Sequence, residues 1–194
     1  MTNIAAADLQ NIRIPGGMDI DAVHLNPDLQ CLNVHCWVLS NDGKSVLVQK
    51  RAASVLNFPN RYDVSLAGHI DADENPLEAM LREIREEGEL NVAGRLIEPP
   101  EALYVEEQGK YPNGQQYLHN QTVYLYFAVL DPKEIHRHTH DADVNSFEWW
   151  NLDTFALRAI NPTSVHLVPH PSWYYHLVAK RLYELRRIHA KIDA

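Results

Sequence analysis

The amino-acid sequence predicts an α/β fold in which a single mixed β-sheet is covered by helices. Apolar segments of strand length, such as TVYLYFAVL at residues 122–130, are interleaved with segments of helical periodicity. A turn signal, Asn41-Asp42-Gly43, separates two strand-like segments and is typical of an antiparallel hairpin. From Pro171 to about Lys191 the apolar residues recur at helical spacing, which predicts a long terminal helix.

The predicted elements follow one another in a regular order. Strands are predicted at 31–39, 45–49, 63–67, 96–106, 122–130 and 146–150, and helices at 76–87, 152–159 and 171–191. Residues 1–30 hold several Gly, Pro and Asp residues and few apolar repeats, so we expect an N-terminal arm there. Residues 31–194 are expected to form a single domain that includes the terminal helix 171–191.

Composition and charge narrow the classes of function. Of the 194 residues, 45% are hydrophobic and 22% are charged, which is ordinary for a globular protein with a real core. The formal net charge is −9 and there is no basic run, which argues against a binder of duplex nucleic acid. No apolar stretch reaches the length of a membrane span and the N-terminus lacks a secretory signal, so we expect a cytoplasmic protein.

The two cysteines, Cys31 and Cys36, fall in one predicted strand. Their odd spacing points the two side chains to opposite faces of the sheet, so they cannot form a disulfide with each other. Two cysteines that cannot form a disulfide with each other are in keeping with a reducing compartment.

A well-capped helix follows the third predicted strand. Asn75 is a good N-cap, Pro76 suits the first helical position, and Glu78 has the spacing of a capping box. On a helix that ends near Glu87, the apolar residues share one stripe, which we expect to pack on the sheet: Leu77, Met80, Leu81 and Ile84.

Three glutamates, Glu83, Glu86 and Glu87, fall on a neighbouring stripe of that helix because they are three and four positions apart. Carboxylates that converge on one small face repel one another. A hard divalent cation such as Mg²⁺ or Mn²⁺ relieves the repulsion, since it prefers oxygen ligands. Taken alone, the pattern also fits a solvated acidic helix face with arginine partners, which is what charge runs usually are.

The segment from Gly68 to Leu90 reads GHIDADENPLEAMLREIREEGEL. It resembles the Nudix box, G-x5-E-x7-R-E-U-x-E-E-x-G-U, in which U is a bulky aliphatic residue. The chain departs from the box at one position. Where the box has its second glycine this chain has Glu89, and the glycine stands one residue earlier, at Gly88.

This resemblance implies a fold, a cofactor and roles for several residues. In the Nudix family the box forms a loop–helix–loop on an α/β/α sandwich with a mixed sheet. The resemblance implies that the catalytic groups are ligands of Mg²⁺ or Mn²⁺. The side-chain ligands would be Glu83, Glu86 and Glu87, and the main-chain carbonyl of Gly68 would be a further ligand. A structural role is implied for Arg82, which we expect to lock the loop by pairing with a carboxylate such as Glu74.

The preceding sequence, QKRAASVLNFPNRYDVSLAGHIDADE, resembles the Nudix branch that includes isopentenyl-diphosphate isomerase and its hydrolase relatives. That isomerase has a catalytic cysteine where this chain has Ala67, which has no acid–base group, whereas His69 matches. The isomerase also uses histidines of its first strand as metal ligands, and Cys31 and His35 lie near that position here. The resemblance therefore favours hydrolysis over isomerisation.

Other polar residues are candidates for the same site, each with a plain structural alternative. Lys50 and Arg51 end a strand, where they either bind phosphate or are solvated. His69 either contacts substrate or is a satisfied loop histidine. Candidates for a general base or accessory ligand are three carboxylates: Asp141, Asp143 and Glu148. A metal site and a polar loop both fit the alternating histidines nearby: His136, His138 and His140.

The predicted function is divalent-metal-dependent hydrolysis of a diphosphate linkage in a nucleoside di- or triphosphate or another organic diphosphate. The expected partner is a small-molecule diphosphate, and homodimers are common in the family. Two alternatives stay open: an isomerase of isopentenyl diphosphate, and a non-catalytic sensor of a metabolite. The substrate is also open, because loops outside the box choose the leaving group.

Overall fold

The computed structural model describes residues 3–87, 95–110, 114, 116–135, 142–160 and 166–192. The strands are β1 (Ala6–Asp8), β2 (Leu29–Ser40), β3 (Ser45–Arg51), β4 (Tyr62–Asp63), β5 (Leu66–His69), β6 (Leu96–Lys110), β7 (Gln116–Leu130) and β8 (Val144–Asn151). The helices are α1 (Ile20–His24), α2 (Pro76–Glu87), α3 (Leu152–Ala159) and α4 (Ser172–Ile192).

The strands form one mixed sheet with β2 at its centre. β2 and β7 run parallel, and β6 pairs antiparallel with the outer side of β7. On the other side of β2 the sheet continues through β3, which pairs antiparallel with β4 and β8. β1 and β5 pair antiparallel with the first half of β2. The predicted hairpin is therefore present as β2 and β3.

Helices cover both faces of the sheet. On one face, Met80 and Ile84 of α2 are buried in a cluster that includes Val34 of β2. On the other face, side chains of α3 and α4 such as Phe155 and Tyr175 are buried in a second cluster. The predicted α/β/α sandwich with a mixed sheet is confirmed.

β2 supplies buried side chains to both layers because successive residues point to opposite faces. Its even-numbered residues pack under α2: Leu32, Val34, Cys36 and Val38. Among its odd-numbered residues, Trp37 and Leu39 pack under α3 and α4. Two odd-numbered residues near the start of the strand are instead polar and buried: Asn33 and His35. This polar end of β2 determines where a ligand site can form.

Helix α2 begins at the predicted residue, Pro76, and its described part runs to Glu87. Asn75 Oδ1 accepts hydrogen bonds from the main-chain N–H groups of Leu77 and Glu78, each at 3.0 Å. Glu78 Oε2 accepts from the Asn75 N–H at 2.9 Å, which completes the predicted capping box. The helix exit, with Gly88 and Glu89, lies outside the described residues.

The segment predicted as one strand at 63–67 is two short strands on different partners. β4 pairs with β3, whereas β5 pairs with β2. Ser65 lies between them, and its hydroxyl accepts from the Val38 N–H at 3.0 Å and donates to the Leu47 carbonyl at 2.6 Å. This side-chain bridge satisfies backbone groups where β2 and β3 separate, so the chain crosses from one strand to the other.

The first thirty residues, predicted to be an arm, contain β1 and α1 in their described part. Arg13 Nη2 donates to the carbonyls of Asp71, Ala72 and Glu74 at 2.8–3.1 Å. The arm therefore supports the loop that leads into α2. The division into an arm and a single domain stays a prediction.

Both cysteines are free and buried, as their spacing predicts. Cys31 belongs to a small cluster with residues of the arm, and Cys36 lies under α2. Within the described ranges, no helix combines the length and the apolar character that a bilayer span requires.

We expect the Asn75→Ala substitution to lower the free energy of unfolding by about 1 kcal/mol, because two N–H groups at the start of α2 lose their acceptor. Urea titration followed by circular dichroism measures this. Asn75→Asp is the matched control, since aspartate keeps the acceptor and suits the positive end of the helix dipole. Equal destabilisation by both substitutions would contradict the capping role.

Candidate active site

A cavity of about 390 Å³ lies at the polar end of β2. Its lining comes from several elements at once, among them β2, β3, β5, β7 and α2. The volume is in the range of small-molecule sites. Helix α2, which carries the glutamates, and the polar end of β2 therefore line the same cavity.

Two of the three predicted glutamates are buried at this cavity. Glu83 is 8% exposed and Glu87 is 5% exposed, and both line the cavity. The side chain of Glu86 is 54% exposed on the open side of the helix, where it accepts from Arg82 Nη1 at 3.2 Å. The alternative of a solvated acidic face is therefore wrong for Glu83 and Glu87.

Gly68 allows the carboxylate of Glu83 to rest directly on the β5 backbone. A Cβ atom at position 68 would lie 2.0 Å from both Cδ and Oε1 of Glu83. No other residue type fits there without displacing that carboxylate. The requirement for glycine at this position is steric and local to the site.

Glu87 is oriented by two hydrogen bonds from the sheet. Gln49 of β3 donates to Oε1 at 2.7 Å, and the main-chain N–H of Ala67 donates to Oε2 at 3.1 Å. α2 is thereby tied to β3 and β5 at the point where its glutamates face the cavity.

Arg82 connects the loop to the helix. Its Nε and Nη2 donate to the two oxygens of Glu74, each at 2.9 Å, so the predicted pairing with Glu74 is present. Nη2 also donates to the His69 carbonyl at 2.8 Å, and Nη1 donates to Glu83 Oε1 at 2.6 Å. The hydrogen bonds from Arg82 lower the pKa of Glu74. The guanidinium therefore sets the position of both the loop and a buried glutamate.

Three further potential ligands meet beside this motif. The ligand atoms of His24, Cys31 and His69 all lie within 4.8 Å of one another. The His119 ring stacks on His24 with centroids 4.2 Å apart. Burial lowers the pKa of His69 to about 3 and that of His119 to about 4, so both rings are neutral near pH 7. Nitrogen and sulfur donors of this kind suit borderline metals such as zinc.

The sequence places Cys31 and His35 near the position where the isomerase branch has its metal-binding histidines. Both residues line the cavity. Cys31 meets His24 of the arm, and His35 Nδ1 forms a hydrogen bond with the Tyr174 hydroxyl at 2.7 Å. Burial, followed by the nearby charge of His170, lowers the pKa of His35 to about 4.

An ionic network closes the inner wall of the cavity. His170 Nε2 donates to Asp63 at 2.9 Å, and His170 Nδ1 donates to Glu107. Arg51 Nη1 donates to the other oxygen of Asp63 at 3.2 Å. Burial lowers the pKa of His170, but the two carboxylates outweigh burial and raise it to about 10. The imidazolium is therefore held between two carboxylates.

The remaining candidates are placed differently from one another. Arg51 lines the cavity, whereas the Lys50 ammonium lies 5.5 Å from the centre of the Tyr62 ring and is not part of the lining. Successive residues of a strand point to opposite faces, which separates the directions of these two side chains. The structure therefore brings Arg51 to the cavity, and a phosphate-binding role for Lys50 stays a prediction.

The predicted accessory carboxylates also differ in their position relative to the cavity. Asp143 is exposed and lines the cavity. Glu148 faces away, where it accepts from the Tyr62 hydroxyl at 2.9 Å and from Trp150 Nε1 at 3.3 Å, so the structure does not bring it to the site. Asp141 and the histidines at 136, 138 and 140 lie outside the described residues.

A family model described as the NUDIX domain matches residues 29–170. The chain belongs to the Nudix family. It is 44% identical over 55 residues to an uncharacterised Nudix hydrolase of Clostridium acetobutylicum, a match that spans 27% of this chain and 26% of that protein. It is 29% identical over 150 residues, 76% of each chain, to an isopentenyl-diphosphate Delta-isomerase of Escherichia coli. The predicted family is confirmed, and the hydrolase relative supports the predicted enzyme class.

Two solved structures resemble this Nudix domain in fold. A Deinococcus radiodurans protein superposes with a TM-score of 0.59 at 17% identity, over 93% of this chain and 98% of that one. A bifunctional NMN adenylyltransferase/ADP ribose pyrophosphatase of Francisella tularensis, crystallised with AMP and a Mn ion, gives a TM-score of 0.52 at 19% identity. That match covers 80% of this chain and 42% of that one.

Sequence reasoning missed several residues at the cavity of this Nudix domain. They come from the arm, from strand positions and from the segment before α4: His24, Asn33, Asp63, Glu107, Gln121 and His170. One signal was available in the sequence. Asn33 and His35 alternate with apolar residues in a strongly hydrophobic strand. Polar residues at every second position of a buried strand indicate a shared cavity.

We expect Gly68→Ala to lower the free energy of unfolding by about 1–3 kcal/mol, because the new methyl group overlaps the Glu83 carboxylate. In a Glu83→Ala background the same substitution should cost much less, since the overlapping group is gone. Urea unfolding of the wild type, both single variants and the double variant measures this coupling. An equal cost in both backgrounds would refute the steric contact.

The His170 network makes stability depend on pH in a defined direction. Its pKa in the folded state, about 10, lies above the ordinary value of 6.5. The stabilisation is therefore complete below about pH 6.5 and is lost as the pH rises towards about 10. The difference in unfolding free energy between wild type and His170→Gln should shrink over that interval. His176→Gln, an exposed position on α4, should follow the wild type at every pH.

Proposed function

We propose that this Nudix protein is a divalent-metal-dependent hydrolase that cleaves a diphosphate linkage in a nucleoside di- or triphosphate or another organic diphosphate. The observation that carries the proposal is the burial of Glu83 and Glu87 together at a ligand-sized cavity. Buried carboxylates are costly unless they are paired or bind a cation. Glu86, on the open side of the same helix, completes the proposed ligand set.

The donor chemistry fits Mg²⁺ or Mn²⁺. Carboxylate oxygens are the ligands that these hard cations prefer, and the glycine at position 68 leaves room for one carboxylate against the backbone. We propose that Glu83, Glu86 and Glu87 hold the ion, with the Gly68 carbonyl as a further ligand. Arg82 keeps Glu83 in place and Gln49 keeps Glu87 in place.

The charge of the cavity supports a requirement for a cation. The described basic groups of the lining are already paired with carboxylates: Arg51 with Asp63, Arg82 with Glu74 and Glu83, and His170 with Asp63 and Glu107. The lining also includes the carboxyl groups of Asp71, Glu87 and Asp143. A diphosphate entering such a cavity is repelled unless a divalent cation accompanies it.

The residues of the chain have distinct parts in the proposed reaction. The ion, when bound, neutralises charge on the diphosphate and lowers the pKa of a water molecule that attacks phosphorus. Arg82 fixes the loop and the buried glutamate, which pre-organises the ligands before substrate arrives. Asp143, exposed at the cavity, stays a candidate for the general base.

The names of similar proteins are in line with this proposal. The Clostridium acetobutylicum relative is named a Nudix hydrolase, and the Francisella tularensis structure is named an ADP ribose pyrophosphatase and held a Mn ion with AMP. We propose a small-molecule diphosphate as the partner and the cytoplasm as the location. A homodimer stays a prediction.

Isomerisation of isopentenyl diphosphate is the second candidate, because an isomerase is 29% identical over 76% of the chain. Ala67 opposes it. Its N–H holds Glu87 and its methyl side chain offers no proton donor or acceptor. Incubation of isopentenyl diphosphate in deuterium oxide with Mg²⁺ or Mn²⁺ separates the two candidates, since only an isomerase exchanges deuterium into the recovered substrate.

We expect Glu87→Gln and Glu86→Gln to lower kcat/KM for diphosphate hydrolysis by at least about 100-fold each, because each loses a charged metal ligand. Mn²⁺ affinity, measured by electron paramagnetic resonance, should fall in parallel. Glu78→Gln is the matched control on the same helix, since glutamine keeps the oxygen that caps Asn75. Unchanged turnover in both ligand variants would overturn the proposed metal site.

A further inference from the structure

One nitrogen atom of the N-terminal arm holds three carbonyl oxygens of the loop that precedes α2. Arg13 Nη2 donates to main-chain carbonyls at 2.8–3.1 Å, those of Asp71, Ala72 and Glu74. This nitrogen carries two hydrogens, so at least one of them is shared between two carbonyls. Carbonyl oxygens that converge on one point repel one another, and a positive group at that point relieves the repulsion. The guanidinium of Arg13 therefore stabilises the turn of this loop.

The main chain of Arg13 is fixed to the sheet by a turn of the arm. Asp8 Oδ1 accepts from the main-chain N–H groups of Gln10 at 2.9 Å and Ile12 at 2.8 Å. The chain thereby doubles back after β1, and Arg13 forms an antiparallel bridge with Ala7. Because β1 pairs with β2, the position of the arginine is set relative to the central strand.

The backbone of the arm also lies directly against the loop. The Ala5 N–H donates to the Ile70 carbonyl at 2.6 Å, and the Ala72 N–H donates to the Asn3 carbonyl at 3.0 Å. A Cβ atom at Gly17 of the arm would lie 2.8 Å from the Cβ atom of Ala72. The arm therefore backs the outer side of the loop without a gap, and Arg13 is the side chain that engages its carbonyls.

The other side of the same loop is held by Arg82. The main-chain carbonyl of Glu74 accepts from Arg13 at 2.8 Å, whereas its carboxylate accepts from Nε and Nη2 of Arg82, each at 2.9 Å. Arg82 Nη1 in turn donates to Glu83 Oε1 at 2.6 Å. A displacement of Glu74 is therefore passed to the buried Glu83 carboxylate through a single rigid guanidinium.

We infer that Arg13 is a positioning residue for the metal site, which holds the Glu83 carboxylate in its binding orientation by way of Glu74 and Arg82. The inference rests on the proposed function for the identity of the ligand, a divalent cation. Arg13 is not in the cavity lining, so it acts on the site only through the loop. The arm outside the glutamate motif is thereby part of what pre-organises the ligands.

The first test measures Mn²⁺ affinity by electron paramagnetic resonance on Arg13→Met, which keeps the length of the side chain and removes its donors. Direct partners of metal ligands change metal affinity by about 10- to 100-fold. Since Arg13 acts one contact further out, the dissociation constant of Mn²⁺ should rise by about 3- to 10-fold. Arg13→Lys keeps a charged donor without the planar fork and should recover part of the loss.

A double-variant comparison tests the route through Glu74. In a Glu74→Gln background, Arg13→Met should change Mn²⁺ affinity much less than it does in wild type, because the contact that transmits its effect is already weakened. Arg186→Met is the matched control, since this arginine of α4 bonds Asp153 at 3.3 Å on the other face of the sheet. It should leave Mn²⁺ affinity unchanged. Equal effects of Arg13→Met in both backgrounds would contradict the route.

A measurement on the metal-free protein separates this inference from the proposed function. The Nε–H group of Arg82 donates to Glu74, and its exchange with solvent can be followed by nuclear magnetic resonance. Exchange should become several-fold faster in Arg13→Met and slow again in Arg13→Lys. If wild type binds no Mn²⁺ but exchange responds in this way, the proposed metal site fails and the positioning role of Arg13 stands.

Two results overturn the inference. One is an unchanged exchange rate of the Arg82 Nε–H in Arg13→Met. The other is an unchanged Mn²⁺ affinity in that variant when wild type binds the ion. If Arg13→Met fails to fold by circular dichroism, Arg13→Gln carries the same two measurements, because its shorter side chain removes the guanidinium from the carbonyls.

Discussion

The Arg82 guanidinium joins the loop after β5 to helix α2, and the rest of the site depends on it. Its fork of N–H groups holds both oxygens of Glu74, the His69 carbonyl and one oxygen of Glu83. Four partners on one rigid group fix the loop and the helix relative to each other. Glu83 can then rest on Gly68 while buried, which a flexible loop would not permit.

The cavity chemistry follows from the central position of β2. Where helices cover both faces of this strand, its side chains are apolar. Where one face meets the cavity, the side chains on that face are polar. The basic groups at that end are paired with carboxylates, as Arg51 and His170 are with Asp63. A ligand therefore meets buried glutamates that suit a cation, rather than a positive pocket or an apolar one.

Interactions between residues close in sequence could be predicted without a structure. The start of α2 and the capping box of Asn75 and Glu78 involve residues within one helical turn of one another. Local geometry fixes such contacts, because helical periodicity and capping preferences act over a few residues. The pairing of Arg82 with Glu74 was implied instead by the resemblance to the Nudix box. Alternation of apolar residues similarly predicted the strands, although not that Ser65 divides one segment between two partners.

The sequence by itself determined the α/β class and the capped helix that carries the glutamates, and its resemblance to the Nudix box implied the pairing of Arg82 with Glu74. Only the tertiary structure decided that Glu83 and Glu87 are buried while Glu86 stays open, because burial depends on how the helix lies on the sheet. It also decided that Asn33 meets Gln121, a contact between residues 88 positions apart. The parallel register of two strands brings them together, and no local pattern in the chain specifies that register.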